Sequence, residues 1–172
     1  SGNQGITSTV PLYIYASNSG ISEKELYRSI VASWMTTIYA TAFTKYISPL
    51  CSVGIKGGAG LASGFAYLMQ GNEKAAELSA INQTASLAGM VCDGAKPGCA
   101  LKVASGVETA YRSAFLAKNG LRPSQLEGIT GESLEETLIN INEYINSVSS
   151  YANRIISNII SAKLNKSAQN FG

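Results

Sequence analysis

The chain contains three cysteines and no histidine, and the spacing of the cysteines is the feature that best indicates a reactive or metal-binding site. Cys92 and Cys99 lie seven positions apart and enclose Asp-Gly-Ala-Lys-Pro-Gly, whereas Cys51 stands alone 41 residues upstream. Three soft thiolate ligands without an imidazole suit a cuboidal iron–sulfur cluster that keeps one iron free of protein ligands. Such an iron is a Lewis acid, so the ligand set favours catalysis over electron transfer.

Other interpretations of the three cysteines remain open from the residues alone. Buried cysteines often serve only as small apolar side chains. A structural zinc site requires four ligands, and the chain has neither a fourth cysteine nor a histidine. A thiol-based sensor would need no metal, but there is no Cys-x-x-Cys pair. Because all three cysteines fall at predicted helix boundaries, where helix N-termini favour thiolates, we expect a metal site.

Two further segments carry groups able to bind an anion. Lys96 lies between Cys92 and Cys99, where its charge would offset thiolate charge or contact a substrate carboxylate; a solvated loop lysine is an equal alternative. The chain opens Ser-Gly-Asn-Gln-Gly-Ile, and successive backbone amides among glycines form an anion-binding nest. A carboxylate is the natural small anion for such a nest, whereas the alternative for a glycine-rich N-terminus is a flexible tail. No residue stands out as a general base.

The composition excludes several classes of protein. Hydrophobic residues make up 45% of the chain and charged residues 14%, with a net charge of +2. The basic residues are too scattered for nucleic-acid binding, and no apolar run approaches the ~20 residues of a membrane span. The sequence shows no signal peptide, which favours the cytoplasm. The weakly charged surface indicates a covering domain, a second subunit or a second copy of the chain.

Hydrophobic periodicity predicts a single all-α domain over residues 1–172, with about six helices and glycine-rich loops that converge on the cysteines. One apolar face, on the second helix, consists of Leu26, Ile30, Trp34, Ile38, Ala42 and Tyr46. The predicted helices run from Pro11 to about Asn18, from a capping box at Ser22 towards Pro49, from a glycine-rich turn to about Gln70, from Glu73 towards Cys92, from Pro97 to Asn119, and onwards from a capping box at Ser133.

The run from Gly89 to Lys102 resembles the signature of the iron–sulfur L-serine dehydratase alpha-chain family, and it is most similar to the L-cysteine desulfidase-like branch. The opening segment, Ser1 to Thr7, resembles that family's substrate-binding glycine motif, and Cys51 matches its third cysteine. The resemblance extends from Ser1 to about Tyr144, and the signature around Cys92 and Cys99 is highly specific.

This resemblance implies a [4Fe-4S] cluster held by Cys51, Cys92 and Cys99, and no pyridoxal phosphate. It also implies that the fourth iron binds the leaving group of L-serine or L-cysteine while a base removes the α-proton. Loss of water or hydrogen sulfide leaves an aminoacrylate, which hydrolyses to pyruvate and ammonia. The substrate carboxylate is expected near Ser1, Asn3, Gln4 and Gly5, with Lys96 as a second contact.

Members of that family carry a large additional N-terminal region. We therefore expect the chain to be the C-terminal catalytic part of a longer protein and to be inactive alone, with the N-terminal domain or another subunit as its partner. The alternative is a helical assembly or regulatory module, derived from this fold, that lacks the chemistry.

Overall fold

A computed structural model describes residues 2–70 and 72–170 of the chain. Its six α-helices are α1 (Gly2–Ser19), α2 (Glu23–Thr44), α3 (Gly58–Gln70), α4 (Glu73–Leu87), α5 (Cys99–Lys118) and α6 (Leu134–Asn170). A π-helical turn, Val53–Gly57, leads into α3. The described residues form no strand, only an isolated bridge between Leu50 and Val91. The all-α prediction is confirmed. No helix within these ranges has the length and apolar character needed to cross a membrane.

Helix α3 lies at the centre of the fold, in contact with α1, α2, α4 and α5. Residues 53–66 are all buried, and most of them are small. Gly60 shows why: a Cβ there would lie 2.0 Å from the Thr37 hydroxyl and 2.3 Å from the Ser33 carbonyl oxygen of α2. The glycine-rich run after Cys51 thus serves close helix packing.

Helix α1 begins at Gly2, well before the start that Pro11 predicted, and Pro11 lies inside it. Leu12 and Ala16 of α1 belong to a core cluster that also contains Leu61 and Phe65 of α3. Tertiary packing of this face outweighs the local preference of proline for a first turn. Residues 2–6, expected to form a glycine-rich segment ahead of the helix, instead form its first turns. Anion binding by these residues stays a prediction.

Helix α2 starts at the predicted capping box, in which the Ser22 hydroxyl accepts from the Glu25 N–H, but it ends at Thr44. Its expected apolar face largely points outward. Trp34, Ile38 and Tyr46 are 50%, 63% and 90% exposed. Leu26 of the predicted face is buried in the core, but the other buried positions carry small residues: Ser29, Ser33, Thr37, Ala40 and Thr44.

The buried hydroxyls of α2 are satisfied by backbone carbonyls. Ser33 Oγ donates to the Ser8 carbonyl of α1 at 2.8 Å, and Thr37 Oγ1 donates to the Ser33 carbonyl at 2.8 Å. Small hydroxyl side chains can therefore replace aliphatic ones where helices lie close together. The consequence is a set of exposed apolar side chains on these two helices, here called the α1–α2 apolar face: Ile6, Val10, Tyr13, Tyr27, Val31, Trp34, Met35 and Ile38.

The last three helices agree closely with their predicted starts. Asn72 caps α4 by accepting from the Ala75 N–H. Helix α5 begins at Cys99, two residues after the predicted opening at Pro97. The Ser133 hydroxyl accepts from the Glu136 N–H at the start of α6, as the second capping box predicted.

Candidate cysteine site

Two loop segments bring Cys51 and Cys92 together. The Cys51 N–H donates to the Met90 carbonyl at 2.7 Å, and the Cys92 N–H donates to the Pro49 carbonyl at 2.7 Å. These bonds flank the antiparallel bridge between Leu50 and Val91. Cys51 and Cys92 therefore occupy diagonal positions on either side of the bridging pair. Diagonal neighbours of this kind are about 7–8 Å apart.

Cys99 closes the loop that follows Cys92. As the first residue of α5, it donates its N–H to the Lys96 carbonyl at 2.9 Å, and its thiol lies 3.6 Å from the Gly94 carbonyl. Gly94 has a φ of +94°, a conformation that favours glycine and reverses the chain between the two cysteines. All three cysteines are free; Cys51 is buried, Cys92 exposed and Cys99 intermediate.

Asp93 fixes the shape of this loop through two lysines. Its carboxylate accepts from Lys96 Nζ and, at 2.7 Å, from Lys102 Nζ. Lys102 also donates to the Val91 carbonyl at 2.6 Å. The structure thus places Lys96, the predicted substrate contact, in an exposed ion pair with Asp93. Its role in substrate binding stays a prediction.

Removing the Asp93 charge should loosen the loop without unfolding the chain. The pairs are partly exposed, so we expect Asp93→Asn to cost less than about 1 kcal/mol of unfolding free energy. The amides between Cys92 and Cys99 should nevertheless exchange faster, as measured by hydrogen–deuterium exchange. Glu108→Gln is the matched control, because its pair with Arg112 spans 3.9 Å on the exposed face of α5. Unchanged exchange in Asp93→Asn would contradict this role.

The donor chemistry of the three thiols, and not their convergence in this structure, favours a cluster. Within the described ranges, no three His, Cys, Asp or Glu side chains converge to hold one metal ion. The donors are instead three free, soft thiols on the two paired segments and the adjoining helix start. This set is typical of iron–sulfur ligation rather than of hard cations.

The first turn of α1 lies against the residues that follow Cys51. Gln4 Oε1 accepts from the Ser52 hydroxyl at 2.8 Å, and a Cβ on Gly57 would lie 3.1 Å from the Gln4 carbonyl oxygen. The structure therefore brings Gln4, a predicted substrate contact, beside the turn that carries Cys51. Asn3 is exposed and Gly5 partly buried in the same turn. Ser1, the remaining predicted contact, lies outside the described residues.

A cavity of about 620 Å³ opens between α1 and α2 next to Gln4 and Gly5. Its lining mixes hydroxyls with exposed apolar side chains and reaches Tyr46 beyond the end of α2. Trp34 Nε1 donates to the Thr9 hydroxyl at 2.9 Å across it. The predicted substrate motif thus borders a space that is continuous with the α1–α2 apolar face.

Lys56 is a site residue that sequence reasoning missed. It lies in the π-helical turn and is only 1% exposed. Its ammonium donates to the Lys45 carbonyl and, at 3.4 Å, to the Tyr46 carbonyl. Burial lowers the pKa of Lys56, and an electrostatic interaction with Cys92 opposes this shift. One signal was available: Lys56 is the only charged residue between Lys45 and Glu73.

Gln83 of α4 supports the same turn from the other side. Its Nε2 group donates to the Gly54 carbonyl at 3.3 Å and to the Gly106 carbonyl of α5 at 3.4 Å. The side chain is fully buried, so these bonds join α4, α5 and the π-helical turn in the interior. The turn that carries Lys56 is therefore held on both sides.

The chain matches one protein family and part of several longer relatives. Residues 1–156 match the family described as serine dehydratase alpha chain. A UPF0597 protein of Bacteroides fragilis is 37% identical over 163 residues, which is 95% of this chain and 38% of the relative. A UPF0597 protein of Clostridioides difficile is 35% identical over 160 residues, covering 93% of this chain and 38% of the relative.

A UPF0597 protein of Phocaeicola vulgatus is 41% identical over 141 residues, covering 82% of this chain and 32% of the relative. The chain thus spans about a third of the length of these curated relatives, from 32% to 38%. No solved structure gives a significant match.

Proposed function

We propose that this chain, which belongs to the serine dehydratase alpha-chain family, is the cluster-binding part of a lyase that eliminates hydrogen sulfide from L-cysteine or water from L-serine. The observation that carries the proposal is the pairing of the Cys51 and Cys92 segments beside Gln4. This arrangement supports a soft ligand set next to the predicted carboxylate-binding turn. The products would be pyruvate and ammonia.

Cys51, Cys92 and Cys99 would hold a [4Fe-4S] cluster, without pyridoxal phosphate. When bound, the cluster supplies a Lewis-acidic iron for the leaving group. The protein's own part is to fix three thiolates: two through the paired backbone segments, and Cys99 through the start of α5. Free thiols of this kind persist in a reducing compartment such as the cytoplasm.

Asn3, Gln4 and Gly5 would bind the substrate carboxylate. They lie in the first turn of α1, where backbone N–H groups lack intrahelical acceptors and the helix dipole favours an anion. The bond from Ser52 occupies Gln4 Oε1 and leaves its Nε2 group as a donor. Lys96 would reach the substrate only by exchanging its ion pair with Asp93.

The general base would come from outside these 172 residues. The chain has no histidine, and the Lys56 ammonium is buried and already donates to two carbonyls. The relatives are more than twice as long as the chain, which leaves room for such a group. The remaining part of the full-length protein, or a beta chain, would cover the α1–α2 apolar face and with it the substrate cavity.

Anaerobic reconstitution of a full-length relative and of this chain would test the proposal. We expect about four irons per chain in both proteins. Pyruvate should form from L-cysteine or L-serine only with the full-length protein. Comparing the two substrates identifies the preferred leaving group. Pyruvate formation at the same rate after cluster removal would contradict the proposal, and so would a chain that takes up no iron and sulfide.

A further inference from the structure

Lys56 carries a buried charge for which the described residues offer no carboxylate. The ion pairs of these residues join Asp93 with Lys96, Asp93 with Lys102, and Glu108 with Arg112. A buried ammonium without a counter-ion is costly, so native proteins pair or neutralise such groups. The position of Lys56 therefore needs an explanation.

The surroundings of Lys56 supply only part of the missing negative charge. The carbonyls of Lys45 and Tyr46, just after the C-terminus of α2, accept hydrogen bonds from the ammonium. Lysines near helix C-termini commonly donate to such carbonyls.

The turn of Lys56 follows directly on the cysteine segment, since the Ile55 N–H donates to the Cys51 carbonyl at 3.3 Å. An electrostatic interaction with Cys92 favours the charged form of the lysine and raises its pKa. Cys92 is also held beside Cys51, which lies in the segment leading into the turn of Lys56.

We propose that the Lys56 ammonium is the buried counter-charge of the cysteine site, a proposal that rests on the proposed cluster-binding function. Three thiolates that meet at one cluster bring excess negative charge, and a buried cation in the turn that follows Cys51 would offset it. Lys56 acts through the cluster's surroundings, so it is a positioning residue rather than a catalytic one. It also ties the backbone at Tyr46, at the far end of the cavity, to the turn after Cys51.

Three substitutions separate the charge of Lys56 from its shape. Lys56→Met keeps the apolar stem, Lys56→Gln keeps a hydrogen-bond donor, and Lys56→Arg keeps the charge. Lys118→Met is the matched control, because it removes the same charge from the exposed end of α5. Lys118 lies on the same helix as Cys99, about 29 Å along its axis.

The measurement is the midpoint reduction potential of the reconstituted cluster, alongside iron and sulfide content and circular dichroism. Reduction adds negative charge, so loss of the cation should shift the potential to lower values in Lys56→Met and Lys56→Gln. Lys56→Arg and Lys118→Met should keep the wild-type potential. A potential unchanged in the neutral variants would overturn the proposal.

Variants that fail to take up a cluster also test the proposal. If neither neutral variant takes up a cluster but Lys56→Arg does, the charge is required for loading, which supports the proposal. If Lys56→Arg fails together with them, the lysine side chain rather than its charge is required, and the proposal is wrong. A wild-type chain that takes up no cluster overturns the proposed function instead.

Discussion

Replacing Cys92 with alanine is expected to abolish cluster binding while the chain stays folded. Cys92 is exposed, and the bond that aligns its segment runs from its backbone N–H to the Pro49 carbonyl, so the substitution leaves that bond in place. We expect the unfolding free energy of the cluster-free chain to change by less than about 1 kcal/mol. Iron content after anaerobic reconstitution should fall from about four per chain to near zero.

The neighbouring Met90 provides the control for this substitution. The Met90 carbonyl accepts from the Cys51 N–H, and Met90→Leu keeps that backbone bond and nearly the same volume. This variant should bind the cluster as the wild type does. In the full-length protein, Cys92→Ala should also reduce pyruvate formation to the background rate. A Cys92→Ala protein that retained the wild-type iron content would remove Cys92 from the ligand set.

Gly58→Ala is expected to be the most destabilising single substitution near the site. A Cβ at Gly58 would lie 2.2 Å from the Val53 carbonyl oxygen and 2.3 Å from Gln83 Nε2, so either the π-helical turn or Gln83 must move. Displacing Gln83 removes the buried side-chain donor that the Gly54 and Gly106 carbonyls share. We expect a loss of about 3 kcal/mol or more in unfolding free energy, from overpacking and lost hydrogen bonds together.

Urea unfolding of the cluster-free chain measures this loss directly. Gly89→Ala is the reference, since a Cβ there meets no atom within 4 Å. That change should leave the stability unaltered or raise it by up to about 1 kcal/mol. Gly58→Ala should also take up less iron, because the turn carries Lys56 next to the cysteine segments. An unfolding free energy of Gly58→Ala within about 0.5 kcal/mol of the wild-type value would contradict the prediction, because the neighbours of Gly58 would then have moved at little cost.

Local signals in the sequence predicted much of the helical framework. The capping boxes at Ser22 and Ser133 and the cap at Asn72 gave the starts of three helices, because each satisfies backbone groups through neighbours in sequence. Pro11 was misleading, since packing of Leu12 against α3 extends the helix through it. The presence of each helix was thus better predicted than its start, where tertiary packing outweighs a local signal such as Pro11.

The orientation of α2 could not be predicted from its apolar spacing. The pattern of Trp34 and Ile38 is typical of a buried face, yet the close approach of Gly60 admits only small side chains between α2 and α3. The larger residues therefore lie outside. Likewise, the pairing of Cys51 with the Cys92 segment depends on backbone bonds between residues far apart in sequence. Periodicity treats a lysine as a solvent-facing residue, which is why Lys56 escaped notice.

The central claim is that the three cysteines leave one iron free for substrate. Mössbauer spectroscopy of the chain reconstituted anaerobically with ⁵⁷Fe tests it most directly, recorded before and after addition of L-cysteine or L-serine. We predict that about one quarter of the iron signal, a single site of a four-iron cluster, changes on addition of substrate. D-Alanine, which lacks a leaving group, should leave the spectrum unchanged. A four-iron spectrum that neither amino acid alters, or a protein without any cluster signal, would contradict the account.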